Sequence, residues 1–129
     1  MNKKIEAVKE FHQVFGLGYA SAPTAKLSEG KSKLRFDLMA EENKEYLQAA
    51  QEGDLTEIAD ALGDMLYVLC GTIIEHGMQD KIDAVFEEIH RSNMSKLDAT
   101  GNPVYREDGK VLHGENFTEP DLLGILKEK

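Results

Sequence analysis

Six acidic residues lie within two consecutive stretches that otherwise have the composition of buried helices. The first stretch carries three of them and the second carries three more, and they are Glu41, Glu42, Glu45, Glu57, Asp60 and Asp64. Carboxylates crowded between two packed helices repel one another, and desolvating each one without a partner costs several kcal/mol. The sequence therefore predicts that positive charge, from basic side chains or from divalent cations, neutralises these residues.

The spacing within each stretch places the acidic side chains on one side of its helix. At about 100° per residue, Glu41 and Glu45 lie within about 40° of each other, and Glu42 lies about 60° beyond Glu45. The same count places Glu57, Asp60 and Asp64 within about 60° of one another on the second helix. Because residues 53 and 54 leave only a short connection, we expect the two helices to be antiparallel neighbours whose acidic stripes face each other.

Oxygen ligands without histidine or cysteine are typical of sites for hard ions such as Mg²⁺ or Mn²⁺. Few basic residues lie close in sequence to compete for this role, namely Arg35 and Lys44. Mg²⁺ commonly takes substrate phosphates as further ligands, which indicates a phosphate ester or anhydride as substrate. The alternative is that the carboxylates lie on solvated helix faces, where acidic residues are common.

The composition excludes several other classes of function. The net charge of −9 argues against a protein that binds a nucleic acid polymer, because that needs clustered Lys and Arg. The longest apolar run, residues 65–70, is too short to span a membrane, and the amino terminus lacks the pattern of a secretory signal. We therefore expect a cytoplasmic protein that does not bind membranes, with its one cysteine, Cys70, as a buried hydrophobic residue.

Hydrophobic periodicity predicts four helices that position these residues, at about 2–15, 32–51, 55–76 and 80–94. The second helix is expected to bury Leu34, Leu38, Tyr46, Leu47 and Ala50. The fourth is expected to bury Ile82, Val85, Phe86, Ile89 and Met94. Beyond it, residues 104–112 predict a hairpin that turns at Asp108 and Gly109, and a short helix is expected after Pro120.

The motif Glu-Glu-x-x-Glu at residues 41–45, followed by Glu-x-x-Asp at 57–60, resembles the signature of the all-α NTP pyrophosphohydrolases. This superfamily includes MazG, phosphoribosyl-ATP pyrophosphohydrolase and the dimeric dUTPases. Arg35 and the stretches 89–96 and 103–117 also resemble the MazG-like, phosphoribosyl-ATP pyrophosphohydrolase-like branch. The resemblance implies an all-α fold, with an antiparallel four-helix MazG-like core at 1–97 and a hairpin-like arm at 98–129, as one domain.

The resemblance also implies hydrolysis of a nucleoside triphosphate between its α and β phosphates, with Mg²⁺, or Mn²⁺ in its place. It assigns the metal to Glu41 or Glu42, with Glu42 the stronger candidate, and to Glu45, Glu57 and Asp60. Asp64 is a further candidate because the helix could be registered with Asp60 and Asp64 inward. Glu41 or Glu42 is the carboxylate that takes the proton of water, and which of the two ligates stays open. The resemblance implies substrate contacts from Asn93 and Lys96, with Arg106 and Lys110 as further candidates, and a homodimer or homotetramer.

A second hypothesis belongs to another functional class. The chain could be a catalytically inert helical module that binds a nucleotide or a partner protein and keeps the acidic pair as a divalent-ion site. The sequence does not identify the nucleobase or the sugar of a substrate, and it leaves open whether the enzyme cleanses the nucleotide pool or serves a dedicated metabolic step.

Overall fold

The computed structural model describes residues 1–127, and helices dominate this part of the chain. The elements are α1 (Asn2–Val14), α2 (Lys31–Glu52), α3 (Leu55–Glu75), α4 (Ile82–Met94), β1 (Val104–Tyr105), β2 (Val111–Leu112) and α5 (Leu122–Lys127). The all-α fold class and all four predicted long helices are confirmed. Residues 128 and 129 of the predicted arm lie outside the described residues.

The chain divides into two compact units, Met1–Asp80 and the part that begins at Lys81. The first unit holds α1, α2 and α3, and the second holds α4, the hairpin and α5. The single domain and the four-helix core therefore stay predictions.

Helices α2 and α3 pack against each other and run antiparallel. Arg35, near the start of α2, donates to Thr72, near the end of α3, while Glu45 and Asp60 line one groove at the opposite ends. Gly53 ends α2 with a φ of 68°, and Asp54 caps α3 by accepting a hydrogen bond from the Glu57 backbone N–H. The short connection predicted from the sequence is therefore confirmed, together with its cap.

The face that α2 turns toward α3 carries both polar and apolar residues. Arg35 and Ala49 are buried, and Glu42, seven positions from each, is partly buried. The prediction that Leu34 and Leu47 are buried is wrong, because both are about half exposed, and Tyr46 and Ala50 are also exposed, while Leu38 is partly buried. The sequence pattern identified an apolar face, but a different face makes the contact with α3.

Helix α1 and the loop after it pack on the carboxyl-terminal half of α3. Ile5 and Val8 are buried on α1, and Ile74 and Cys70 are fully buried on α3, as expected for the cysteine. Backbone N–H groups of residues 20 and 24 donate to the carbonyls of residues 74 and 76 at 3.0 and 2.8 Å. Gly77 is required there, because a Cβ would come within 2.0 Å of the Ala22 carbonyl oxygen. The loop is thus held on α3 by the backbone itself.

In the second unit, residues 118–121, which follow the hairpin, are hydrogen-bonded to α4. Ser92, 3% exposed, donates to the Thr118 carbonyl at 2.8 Å, and the Thr118 N–H donates to Ser95 Oγ at 3.0 Å. Arg91 binds the Thr118 hydroxyl, and Glu88 Oε2 accepts from the Asp121 N–H at 2.7 Å. The polar side of α4 therefore holds residues 118–121.

The predicted hairpin is confirmed, with Val104 opposite Leu112 in an antiparallel pair. The expected burial of three residues of α4 is wrong, since Phe86 is 70% exposed and Ile89 and Met94 are also exposed, whereas Val85 is buried. No helix within residues 1–127 is long and apolar enough to cross a membrane.

Candidate functional site

Three of the predicted acidic residues converge between α2 and α3. Glu42, Glu45 and Asp64 each offer a carboxylate oxygen, and these oxygens all lie within 4.8 Å of one another. We call these three residues the acidic triad. Glu42 and Glu45 lie three residues apart, about one turn, on one side of α2, and Asp64 lies on the side of α3 that faces α2. Asp64 thus points toward α2, whereas Asp60, its partner in the helix register considered from the sequence, is exposed.

Glu42 and Asp64 are partly buried, whereas Glu45 is exposed, and Glu42 has the most distinctive surroundings of the three. Its Oε2 atom is buried and has no hydrogen-bond partner within the described residues. Burial of the carboxyl group raises the pKa of Glu42, and the negative charges of Glu45 and Asp64 raise it further. A buried acceptor without a donor is costly, so this atom calls for a positive partner.

Glu57 and Asp60 lie one step farther along the helix pair. They line a groove of about 420 Å³ whose other acidic members are Glu45 and Glu52. Glu45 therefore belongs to both the triad and this groove, while Glu57 and Asp60 are both exposed. The structure brings these two residues beside the triad but does not place them within it.

Glu41 is exposed and lies outside the triad. It precedes Glu42 by one position on α2, which turns it by about 100° away from its neighbour. The two adjacent glutamates, which the sequence alone could not tell apart, therefore have different surroundings. Glu42 is partly buried among carboxylates, and Glu41 faces solvent.

In the second unit, Asn93 and Lys96 line an apolar cavity of about 400 Å³ together with Met94, Leu97, Pro103 and Val111. An apolar cavity with a few polar groups at its wall is typical of a small-ligand site. On the hairpin, Arg106 binds the carboxylate of Asp108 through two nitrogens, and Lys110 is exposed. The guanidinium of Arg106 is thus already engaged within the turn.

The sequence did not predict that a group of polar residues is buried in the first unit. These residues are His12, Arg35 and Glu75, which are 2%, 7% and 4% exposed. Their signal was present in part, because Arg35 lies seven residues before Glu42 and hence on the same face of α2. Their pairing joins residues 40 positions apart in sequence, which periodicity cannot reveal.

The donor set of the triad suits a hard divalent cation. All three groups are carboxylates, and ions such as Mg²⁺ and Mn²⁺ prefer oxygen ligands. One of the two basic residues close in sequence, Arg35, is bound to Val68, Thr72 and Glu75 instead. The buried Glu42 oxygen without a donor is the observation that fits a bound cation best.

Comparison with known proteins agrees with this architecture. The family model described as phosphoribosyl-ATP pyrophosphohydrolase matches residues 8–93. An uncharacterized protein of Acanthamoeba polyphaga mimivirus is 41% identical over 117 residues, which cover 88% of this chain. The match spans 43% of the length of that relative. The matched range contains both acidic stretches and the whole of α2 and α3. The chain therefore belongs to the phosphoribosyl-ATP pyrophosphohydrolase family, within the MazG-like all-α NTP pyrophosphohydrolase superfamily.

Proposed function

We propose that this protein is a Mg²⁺-dependent nucleoside triphosphate pyrophosphohydrolase. Water would attack the α phosphorus, the bond from that phosphorus to the bridging oxygen would break, and the products would be a nucleoside monophosphate and pyrophosphate. The family supports a pyrophosphohydrolase, and the acidic triad supports a metal-assisted reaction. A role in cleansing the nucleotide pool, in the cytoplasm, accords with this activity.

The observation that carries the proposal is the acidic triad with its buried Glu42 oxygen. In a protein without a cation, three carboxylates this close would repel strongly. We assign Glu42, Glu45 and Asp64 as metal ligands, with Glu57 and Asp60 available for a cation in the adjoining groove. A cation bound there would neutralise phosphate charge and orient the phosphates.

Glu41, the remaining glutamate of the Glu-Glu-x-x-Glu motif, is then free for proton transfer. Glu41 is exposed and outside the triad, so its oxygens are not occupied by the same neighbours. We assign Glu41 as the general base that takes a proton from the attacking water. In this proposal Glu42 is the metal ligand of the two adjacent glutamates and Glu41 is the base.

Substrate contacts are proposed for the second unit. Asn93 and Lys96 border an apolar cavity large enough for part of a nucleoside, and Lys96 carries the positive charge that a phosphate needs. Lys110 on the hairpin is a further candidate cation, and Arg106 would first have to leave Asp108. This difference ranks Lys110 above Arg106 as a substrate contact.

We also propose that the protein is a homodimer or homotetramer. Large apolar side chains are exposed on all the long helices, including Leu47, Leu62, Leu69 and Phe86 at 54%, 50%, 46% and 70%. Where such side chains form a contiguous surface, association of two copies would remove it from water. Light scattering coupled to size exclusion should give a mass above that of one chain, and a monomer at micromolar concentration would contradict the proposal.

A panel of common, deoxy and modified nucleoside triphosphates, assayed for pyrophosphate with Mg²⁺ or Mn²⁺, tests the activity. We expect release from at least one of them, and loss of that release in Asp64→Asn and Glu45→Gln. Release of pyrophosphate, rather than of single phosphates, identifies cleavage between the α and β phosphates. If no nucleotide is hydrolysed but the cation still binds, the chain is an inert divalent-ion module and the enzymatic proposal fails.

A further inference from the structure

A buried polar cluster, distinct from the acidic triad, joins the three helices of the first unit. Its members are His12 on α1, Arg35 on α2, and Gly71, Thr72 and Glu75 on α3. None of these residues takes part in the chemistry proposed above. Buried charges cost free energy to desolvate, and breaking such a pair is strongly destabilising. The arrangement of this cluster indicates what it does.

The Arg35 side chain binds three successive turns of α3. Its Nη2 donates to the Val68 carbonyl at 2.8 Å, and its Nε donates to Thr72 Oγ1 at 3.1 Å. The same Nε lies 3.1 Å from Glu75 Oε2, an ionic contact without hydrogen-bond geometry. Lys31, one turn before Arg35, binds the other Glu75 oxygen at 3.0 Å. The start of α2 is thereby fixed on α3 both along the helix axis and in rotation.

Gly71 provides the space in which the Arg35 guanidinium lies. A Cβ at this position would come within 2.6 Å of Arg35 Nη2 and 2.9 Å of His12 Nε2. The His12 ring is held from its other side, because Nδ1 lies 2.9 Å from the Gly18 carbonyl oxygen. The guanidinium therefore passes over α3 at the one place in this turn that has no side chain, next to a fixed ring.

Helical spacing relates the position of the Arg35 contacts to the position of the acidic triad. On α2, Glu42 follows Arg35 by seven residues, which returns it to within about 20° of the same face, about 10.5 Å farther along. On α3, Asp64 precedes Val68 by one turn, about 6 Å away and about 40° around. Because the helices are antiparallel, both steps run in the same direction. The contact between Arg35 and Val68 therefore sets which residue of α3 lies opposite Glu42.

We propose that Arg35 is a positioning residue for the acidic triad, and that its contacts with Val68, Thr72 and Glu75 set the register of α2 on α3 in which Glu42 and Glu45 meet Asp64. The consequence for cation binding rests on the proposed metal-dependent function. A lysine cannot replace Arg35 in this role, because an ammonium lacks the planar fork that reaches two acceptors and an ion partner at once.

The first measurement is Mn²⁺ affinity, followed by electron paramagnetic resonance, in the wild type, Arg35→Lys and Gly71→Ala. Both variants should bind Mn²⁺ about tenfold or more weakly, the loss typical when residues that orient metal ligands are changed. Ile74→Val is the matched control, since it trims a fully buried side chain on α3 and lowers the melting temperature without touching the Arg35 contacts. Equal Mn²⁺ affinity in Arg35→Lys and Ile74→Val would overturn the proposal.

The second measurement needs no cation and separates this proposal from the proposed function. Without metal, the Asp64→Asn variant should melt at a higher temperature than the wild type, because the substitution relieves repulsion with Glu42. In the Arg35→Lys background that rise should shrink, because the two carboxylates no longer face each other. A wild type without Mn²⁺ binding but with this coupling would contradict the metal site and support the positioning role. An unchanged rise in both backgrounds would overturn the positioning role itself.

Discussion

Glu42→Gln should change the stability of the protein in opposite directions with and without a cation. The variant removes one charge from the triad and keeps the size of the side chain, with an NH2 donor in place of one acceptor oxygen. At 4.8 Å and an effective dielectric of about 20, each carboxylate pair repels by about 3 kcal/mol. Glu45 is exposed and solvent screens it, so we expect a net gain of about 1–2 kcal/mol in the metal-free variant.

This gain corresponds to a rise in melting temperature of about 3–8 °C for a chain of this size. With Mn²⁺ at about one hundred times its dissociation constant, the wild type gains about 2.7 kcal/mol and the variant gains nothing. The order of the two melting temperatures should therefore reverse when Mn²⁺ is added. Scanning calorimetry of both proteins, with and without the ion, measures the four values.

Glu10→Gln is a suitable control, because Glu10 is an exposed acid on α1 in the same unit. It should leave both the metal-free melting temperature and the response to Mn²⁺ close to those of the wild type. The reasoning would be refuted if Glu42→Gln lowered the metal-free melting temperature, or if the variant kept the full wild-type response to Mn²⁺.

Three further predictions follow from single contacts. Because the pKa of Glu42 is raised, the folded state binds more protons than the unfolded state, so metal-free stability should fall as pH rises above about 4.5 through that raised pKa. Mn²⁺ affinity should rise over the same pH range. Calorimetry at several pH values measures both quantities, and Glu42→Gln should flatten both pH dependences. Arg91→Ala removes the donor to the Thr118 hydroxyl, and it removes the partner that lowers the pKa of Glu88 to about 2. Amide hydrogen exchange in residues 118–121 should therefore accelerate, while the amides of α3 stay protected. Lys96→Ala should raise the KM for the nucleotide more than it lowers kcat, as steady-state kinetics would show, and an unchanged KM would remove Lys96 from the substrate contacts.

The positions of the helices and of the hairpin could be predicted from the sequence, because local signals determine them. Gly53 and Asp54 end one helix and cap the next through contacts between near neighbours in sequence. The turn at Asp108 and Gly109 is encoded in the same way, since Gly109 adopts a φ of 88°. The two acidic stretches, and their placement on facing helices, also followed from spacing and from the short connection between them.

The rotation of each helix about its own axis could not be predicted in this way, because contacts distant in sequence decide it. Hydrophobicity favoured the face of α2 with Leu34 and Leu47, yet Arg35 binds Thr72, 37 residues away, and turns Glu42 inward instead. That rotation brings Asp64 to Glu42 and Glu45 and leaves Glu57 and Asp60 in the adjoining groove. The sequence by itself determined that two acidic helices meet, whereas the tertiary structure decided which carboxylates meet, because a buried guanidinium sets the register of the pair.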